Sequence, residues 1–457
     1  MFLIIGLLLT FALGYLLTLV LDAKLAIYER LCLSFVIGLG VMTQLLFLLD
    51  IIHINYSAFS VLSSLLILNV LLIFLIRKKL PRVRDELNLR ILTETISWVK
   101  RLSILEKIFL LTLIFLILGA FVRAVFWPVY YWDSLALYDY RGRIFTDAHG
   151  IAKSVAFSSI QLHTYPPMTS LAHAFVYILG GKFANPQFIY PVFYLSLIVT
   201  FYYSVRKYVN QWASLLFAVF LASTPLLIEF SANAYTNLPY ALYFGLGTIY
   251  LYRFMVEKSA GFLLISGFLL GLSGWTRSPT EQFFLANLIV LSLWSIKQRP
   301  FYWAPVVLLC LYSILAIPWR FYTLYVLHIS PIGSEITSAV KAGATVIDLS
   351  RLWTVLIMLF QSLKGVSGAS VGIVIISLLF FPYMFRRHLP LLFFLALNLI
   401  VFVLGSYAFS LSWPDWKDSI ANSANRLSMF FIPIALFYGA ISIPNFLLSK
   451  NKKGELK

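Results

Sequence analysis

The sequence is poor in charged residues and almost free of cysteine. Asp, Glu, Lys and Arg make up only 12% of the 457 residues, whereas a soluble domain carries about 25%. This shortage excludes a soluble protein. The two cysteines, Cys32 and Cys310, lie in apolar runs, so no disulfide framework is indicated. His, Cys and Asp form no cluster with the spacing of metal ligands. No cofactor is therefore indicated, although a divalent metal is left open.

Long apolar runs take the place of the missing charges. Hydrophobic residues make up 61% of the chain, and they form continuous runs of about 18 to 22 residues, the length that crosses a bilayer as a helix. Strands of a membrane barrel would instead alternate in polarity over about 10 residues. Only helices and closed barrels satisfy their backbone groups in lipid. The sequence therefore predicts an all-α, polytopic integral membrane protein with about 11 to 13 transmembrane helices.

The excess of positive charge is concentrated in a few places. The formal net charge is +17, but nine Lys and Arg residues fall between Arg77 and Lys107, and four fall between Lys450 and Lys457. This distribution follows the positive-inside rule, and basic residues beside a membrane also attract anionic headgroups. The charge therefore predicts a membrane as partner and no nucleic acid. It also places the linker and the tail in the cytoplasm.

These signals divide the chain into three parts. Residues 1–76 are predicted to form three N-terminal transmembrane helices. Residues 77–107 are predicted to form a basic cytoplasmic linker helix, and residues 108–457 a single membrane domain. The outer loops of this domain are predicted at 128–165, 319–351 and 410–425.

Segment 166–181 has two interpretations. It begins with two prolines and ends with two glycines, as a short helix often does. If the segment crosses the membrane, Arg206 and Lys207 lie outside, against the positive-inside rule. Otherwise the segment is short and re-entrant, and those two residues lie inside.

One stretch, residues 126–145, concentrates charge directly after an apolar run. Four charged residues stand there among many aromatic ones: Asp133, Asp139, Arg141 and Arg143. Asp133 either caps an interfacial helix, as Asp before an apolar segment often does, or takes a proton from a hydroxyl at the membrane surface. Asp139 lies about 120° further round a helix, so it need not share that site. It could instead pair with Arg143, four residues on.

Two motifs in this region resemble a known family. The motif Tyr131-Trp-Asp-Ser-Leu-Ala-Leu-Tyr-Asp-Tyr-Arg-Gly-Arg143, followed by His163-Thr-Tyr-Pro-Pro167, is similar to motifs of the GT-C superfamily of polyprenyl-phosphate-sugar glycosyltransferases. The most similar branch is the one related to protein O-mannosyltransferases and lipid A aminoarabinose transferases. In that family the loop usually follows the first span, whereas three spans and the linker precede it here.

Weaker similarity continues further along the chain. Segment 233–239 resembles a family segment that usually carries Asp where Asn237 stands, so a charge is lost here. Segment 271–281 resembles a family turn with a basic residue, a position that Arg277 occupies. Glu281 is displaced from the position at which some family members carry a glutamate.

The resemblance implies a GT-C type core and a chemical activity. The enzyme would move a sugar from a polyprenyl-phosphate-linked lipid donor to a hydroxyl of a glycan, lipid or protein acceptor, with Asp133 as general base. The site would face the non-cytoplasmic side of the cytoplasmic membrane or of an endomembrane. Because the lipid phosphate gains negative charge when the glycosidic bond breaks, arginines suit its binding, unless they only snorkel to the headgroups. The candidates for binding the donor phosphate are Arg141, Arg143, Arg277 and Arg426. The candidate substrate contacts are Trp132, Asp139, His163, Tyr165, Asn237 and Glu281.

Two other functions compete with this hypothesis. A transporter or flippase of lipid-linked sugars would have helices broken by Gly or Pro and ionisable residues near the middle of the bilayer. A polymerase or ligase of lipid-linked polysaccharide would have Arg-rich outer loops late in the chain, which segments 320–351 and 410–426 do not exclude. A non-catalytic scaffold is a third alternative, against which the motif around Asp133 argues.

Overall fold

The chain folds into a bundle of helices. The computed structural model describes residues 1–21, 24–77, 90–157, 165–277, 281–329, 348–378, 388–413 and 415–454. Within these ranges the regular structure is entirely helical, without a strand. The helices are α1 (Phe2–Val20), α2 (Ile27–Ile51), α3 (Ala58–Ile76), α4 (Arg90–Arg101), α5 (Ile104–Phe126), α6 (Tyr140–Asp147), α7 (Met168–Gly180), α8 (Ile189–Arg206), α9 (Gln211–Ala222), α10 (Pro225–Phe230), α11 (Asn237–Glu257), α12 (Ala260–Thr276), α13 (Glu281–Lys297), α14 (Ala304–Ala316), α15 (Pro318–Phe321), α16 (Leu349–Leu378), α17 (Leu389–Ser412), α18 (Trp416–Ser428) and α19 (Ile432–Gly454).

Many of these helices are long and apolar enough to cross a membrane. In the described part of the chain nine stretches meet this condition by length and composition, each with a mean hydropathy that only a lipid-facing or fully buried helix tolerates. Three shorter apolar helices, α7, α9 and α12, accompany them. The predicted fold class, an all-α polytopic membrane protein, is confirmed.

The contacts at the helix termini show which termini lie together at each of the two ends of the bundle. Helix α5 starts beside Glu106 and stops just before Asp133, so we name the two ends the Glu106 end and the Asp133 end. Asp50, at the close of α2, lies at the Asp133 end, where its Oδ1 accepts the backbone N–H of Ile151 at 2.6 Å. The hydroxyl of Tyr322 donates to the other carboxylate oxygen of Asp50. Residues 319–329 therefore reach the same end as the loop after Asp133.

Helix α7 does not cross the bundle. With 13 residues, it is about 20 Å long. The carbonyl of Tyr165, just before it, accepts a hydrogen bond of 3.1 Å from Arg141 at the Asp133 end. Just after it, Asn185 donates to the carbonyls of Ala124 and Trp127, at 3.0 and 3.1 Å, beside the close of α5. Both ends of α7 thus lie at the Asp133 end, so the re-entrant alternative is the one that the structure adopts.

The next helices then follow the positive-inside rule. Helix α8 leads from the Asp133 end to Arg206, and Gln211 shortly afterwards donates to Glu106 Oε1 at 3.1 Å. Arg206 and Lys207 therefore lie at the Glu106 end, beside the basic linker. The same Gln211 accepts a hydrogen bond of 2.8 Å from the indole of Trp98 in α4, which anchors α4 there. Residues 78–89 of the predicted linker lie outside the described residues.

Four further passes join the two ends. Helices α9 and α10 together lead back to Glu229, which accepts a hydrogen bond of 3.3 Å from Tyr131 at the Asp133 end. Helix α11 returns to the Glu106 end, and α12 comes back to Arg277, which bonds to the first residue of α11. Helix α13 then leads to the Glu106 end, where Gln298 accepts a hydrogen bond from Lys258, just after α11. Nine long apolar stretches and these four make thirteen passes through the described bundle, within the predicted range.

A buried ion pair fastens the N-terminal helices to the core at the Glu106 end. Arg253 Nη1 of α11 lies 2.6 Å from Glu29 Oε1 of α2, and both side chains are fully buried. Glu257 accepts a second bond from Arg253 at 3.0 Å, and Tyr250 donates to Glu29 at 2.7 Å. Breaking one partner of such a pair leaves an uncompensated buried charge. The pair therefore fixes α2 against α11.

Helices α1 and α2 approach each other closely through glycine. A Cβ on Gly14 would stand 1.7 Å from the carbonyl oxygen of Ser34, and a Cβ on Gly38 would stand 2.0 Å from that of Thr10. Only glycine allows this contact, a packing mode that is common between membrane helices. Helix α2 is in turn bonded to the core, since Tyr243 donates to the carbonyl of Val36 at 2.6 Å. The first two helices are thus packed directly on the bundle that carries Asp133.

Candidate active site

Asp133 opens an unusual turn. It has helical dihedral angles and precedes a π-helical turn, Ser134–Asp139, that runs on into α6. Its side chain makes no capping hydrogen bond to this turn, so the structure does not use it as a helix cap. Such wide turns are frequent at functional sites because they change the direction of the side chains that follow.

Asp133 is instead paired with an arginine from the far end of the chain. Arg426 Nη1, in the last turn of α18, lies 2.6 Å from Asp133 Oδ2, although the two residues are 293 positions apart. The Asp133 side chain is 39% exposed and the Arg426 side chain 31% exposed, so both stay partly accessible to solvent or to a ligand. A short bond between a charged donor and a charged acceptor is among the stronger hydrogen bonds in proteins. The fold thus joins two residues that the sequence could only name separately.

Tyr235 borders this pair and was not predicted as a site residue. Burial, and next the negative charge of Asp133, raise the pKa of Tyr235 to about 12, so its hydroxyl stays protonated at neutral pH. Its ring also packs against those of Tyr131 and Tyr138, with centroids 6.0 and 6.2 Å away. The only sequence signal for Tyr235 is its place inside segment 233–239.

Arg277 ties the segment around Asn237 to the turn after Asp133. Its Nη1 donates to Asn237 Oδ1 at 2.6 Å and to Thr236 Oγ1 at 3.1 Å. The same Thr236 hydroxyl shares a hydrogen bond of 3.1 Å with the hydroxyl of Tyr138. Arg277 and Asn237, predicted separately as site residues, are therefore in direct contact, and Tyr138 links them to the turn that begins at Asp133.

A cavity of about 290 Å³ opens beside these residues, which is close to the lower limit for ligand pockets. We call it the Arg277 cavity. Tyr165 and Arg277 line it, and so do residues of the amphipathic helix α18. Arg426 directly precedes Leu427, which lines it, so the Asp133–Arg426 pair lies at its border. Its described lining residues are Tyr165, Arg277, Gln282, Phe283, Val401, Phe402, Gly405, Ser406, Phe409, Ser419, Ile420, Ser423, Ala424 and Leu427.

Arg141 lies behind Tyr165 as a buried cation with few partners. Its side chain is 1% exposed, and its one hydrogen bond, 3.1 Å long, goes to the carbonyl of Tyr165. Among the described residues, Nε and Nη2 have no hydrogen-bond partner, and no carboxylate pairs with the guanidinium. Burial lowers the pKa of Arg141 to about 9, which still leaves it charged at neutral pH. An unpaired buried charge is costly, so this arginine favours an anion nearby.

Asp139 and Arg143 form a separate network on the other face of α6. Arg143 Nε donates to Asp139 Oδ2 at 2.9 Å, so the i, i+4 pairing is the one that the structure adopts. His173 Nδ1 lies 3.0 Å from Asp139 Oδ1, and Tyr177 donates to the same oxygen. Burial by itself would raise the pKa of Asp139, but these hydrogen bonds outweigh it and lower the pKa to about 2. Asp139 is 2% exposed, so it fixes α6 on α7 and does not face the Arg277 cavity.

The remaining predicted residues are scattered. Glu281 pairs with Arg320 at 2.5 Å, at the Asp133 end but outside the lining of the cavity. Trp132 is 81% exposed and points away from the bundle. His163 lies outside the described residues. Tyr165 is the predicted aromatic contact that lines the cavity.

In the part of the chain that the structure describes, no group of three or more His, Cys, Asp or Glu side chains could hold a metal ion. No family model, curated protein or solved structure matches this chain. The GT-C resemblance therefore rests on the motifs themselves, and the site has to be judged by its geometry.

Proposed function

We propose that this protein is a membrane glycosyltransferase that moves a sugar from a polyprenyl-phosphate-linked donor to an acceptor hydroxyl, with Asp133 as the general base. The observation that carries the proposal is the Asp133–Arg426 pair, 2.6 Å long, at the border of a cavity that Arg277 lines. A carboxylate suits the proton transfer of this reaction and guanidinium groups suit the binding of its phosphate, and three distant segments contribute them.

The Asp133 carboxylate would accept the proton of the acceptor hydroxyl. The acceptor oxygen attacks the anomeric carbon of the sugar, and its proton passes to Asp133. The bond between the anomeric carbon and the phosphate oxygen breaks, and its electron pair leaves with the lipid phosphate. One carboxylate oxygen of Asp133 holds Arg426, which leaves the other oxygen to accept the proton.

The arginines would stabilise the departing phosphate. A guanidinium has five N–H donors, and Arg426 uses one nitrogen for Asp133, so the same side chain can hold the carboxylate and the phosphate next to each other. Arg277 lines the cavity itself. Arg141, behind Tyr165, adds an uncompensated positive charge within a region of low dielectric constant, where charge acts strongly.

The location of the site follows from the same proposal. Residues 90–107 of the basic linker and the last described turns of α19 lie towards the Glu106 end, and the positive-inside rule assigns such an end to the cytoplasm. The Asp133 end would then face the opposite side, where the donor presents its sugar. Arg143, held by Asp139 and Tyr177, would support α6 and would not bind the phosphate.

The proposal is tested by the substitution Asp133→Asn. This change keeps the size of the side chain and its ability to accept from Arg426 but removes the base, so transfer should fall by at least about a hundredfold. Cells that lack the native protein are complemented with each variant at matched protein levels, and labelled sugar in envelope glycans and lipids is quantified. The matched control is Asp147→Asn, because Asp147 lies on the same segment, is 64% exposed and only pairs with the exposed Lys182. Full transfer by Asp133→Asn would refute the proposed role.

A further inference from the structure

The Arg277 cavity is lined in part by hydroxyl groups that form no hydrogen bond with the described residues. Ser406 of α17 and Ser419 and Ser423 of α18 line the cavity. None of these three hydroxyls makes a hydrogen bond with another residue of the described ranges. Each therefore keeps one donor and two acceptor positions for a ligand.

Many helical serines elsewhere in the bundle behave differently. Ser34, Ser377 and Ser442 each donate to the carbonyl four residues earlier, at 2.5 to 2.6 Å, which is how a serine satisfies its hydroxyl in an apolar helix. The three cavity serines do not form this bond, and they face open space instead of packed side chains. Their hydroxyls are thus directed at whatever fills the cavity.

A buried side-chain amide, that of Gln282, also lines the cavity. Its Oε1 is buried without a hydrogen-bond partner among the described residues. A buried acceptor left unpaired costs free energy, and a ligand hydroxyl would supply the missing donor. Serine hydroxyls and an amide oxygen together suit a ligand with several hydroxyl groups.

The charges around the cavity select against a cationic ligand. None of the described lining residues is acidic, and the charged one among them is Arg277. Glu281, beside Gln282, is already paired with Arg320 at 2.5 Å. An ammonium group in the cavity would therefore meet the positive charge of Arg277 and no acidic lining residue, since Asp133 lies only at the border and is paired with Arg426. An uncharged ring would meet hydroxyls and an amide.

We infer that the Arg277 cavity holds the sugar of the donor, and that this sugar is an uncharged, polyhydroxylated ring bound by Ser406, Ser419, Ser423 and Gln282. This inference rests on the proposed function, and it narrows the substrate class within it. Arg277 binds the phosphate at the border of the cavity, and the three serines form hydrogen bonds with the hydroxyl groups of the ring. An amino sugar is excluded as the preferred substrate.

The test measures the binding of three synthetic lipids to the full-length protein in nanodiscs. The lipids are a short-chain polyprenyl phosphate without sugar, with a neutral hexose, and with an amino sugar. The wild type should bind the hexose lipid about tenfold more tightly than the other two, because each neutral hydrogen bond contributes roughly a factor of two to ten. The double variant Ser419→Ala/Ser423→Ala should lose most of this preference and keep its affinity for the bare phosphate lipid.

A size probe removes any dependence on the serine variants. A Cβ on Gly405 has no atom within 4 Å, and Gly405 lines the cavity, so Gly405→Leu should fill the space without disturbing the packing. This variant should bind the hexose lipid no better than the bare one. Its control is Gly119→Leu, which also has open space at its Cβ but lies on the exposed face of α5.

The outcomes separate this inference from the proposed function. If the wild type binds none of the three lipids, the proposed function fails and the inference fails with it. If it binds all three equally, or prefers the amino sugar, the proposed function stands and the inference is overturned. A loss of affinity for all three lipids in the serine variant would assign the hydroxyls to the phosphate and would also overturn it.

Discussion

At the scale of single residues, the sequence can name the parts of the site but not their contacts. Asp133 and Arg277 stand out through motif resemblance, and Arg426 through its position next to a span. Their arrangement depends on how helices pack, because Arg426 reaches Asp133 across 293 residues. Tyr235 escapes sequence analysis, since apart from its place inside segment 233–239 nothing distinguishes it among 26 tyrosines. His173 escapes it for the same reason, because it lies on an apolar helix and only the fold directs it at Asp139.

Arg426 has a direct role in the proposed reaction, and substitution can measure it. Arg426→Ala should lower the transfer rate by about a hundredfold, because the departing phosphate loses a preorganised charged donor. Arg426→Lys should restore only part of this loss, because a lysine cannot hold a carboxylate and a phosphate with one planar group. The rates are measured in membranes that contain equal amounts of each variant.

A neighbouring cation provides the control for this experiment. Lys417 lies on the same helix, with its ammonium nitrogen 5.7 Å from the ring centroid of Trp416, and it does not line the cavity. Lys417→Ala should therefore keep the wild-type rate. Equal losses in Lys417→Ala and Arg426→Ala would show that the general positive charge of α18 matters, and not the contact with Asp133.

At the scale of elements, helix type was predictable but the path of short helices was not. Long apolar runs predict helices because lipid leaves the backbone no other solution. Segment 166–181 has the composition of a short span, and only the bonds of Tyr165 and Asn185 to the Asp133 end show that α7 turns back. The apolar run through 352–382 likewise conceals an interruption, since Ser367 in α16 has φ −160° and ψ 86°.

The re-entrant path of α7 predicts which residues share a side of the membrane. Single cysteines are placed at Trp132, Lys182 and Lys207 in a variant whose Cys32 and Cys310 are replaced by serine. An impermeant thiol reagent added from one side should label Trp132→Cys and Lys182→Cys together, because both ends of α7 lie at the Asp133 end. Lys207→Cys should react only from the other side. Labelling of Trp132→Cys and Lys182→Cys from opposite sides would contradict the path described for α7.

At the scale of the whole molecule, the apolar runs predict the class of protein and the range of passes, but not every pass is a long and strongly apolar helix. Nine described stretches satisfy length and composition, yet α11 also joins the two ends. Its tyrosines and polar residues lower its hydropathy, and they are tolerated there because they are buried in the bundle. The buried Glu29–Arg253 pair cannot be predicted from the sequence either, because each residue has the pattern of an ordinary juxtamembrane charge. The packing of the helices therefore determines these buried contacts, which local sequence patterns do not predict.

The function of the whole molecule is tested most directly by mass spectrometry of envelope glycans and lipids from cells with and without this protein. The account predicts that one class of glycan or lipid lacks a sugar when the protein is absent, and that the corresponding polyprenyl-phosphate sugar accumulates, because the step that consumes it is missing. The missing mass also identifies the sugar and the acceptor. Unchanged masses of all envelope glycans and lipids, with an unchanged level of lipid-linked sugars, would contradict the account.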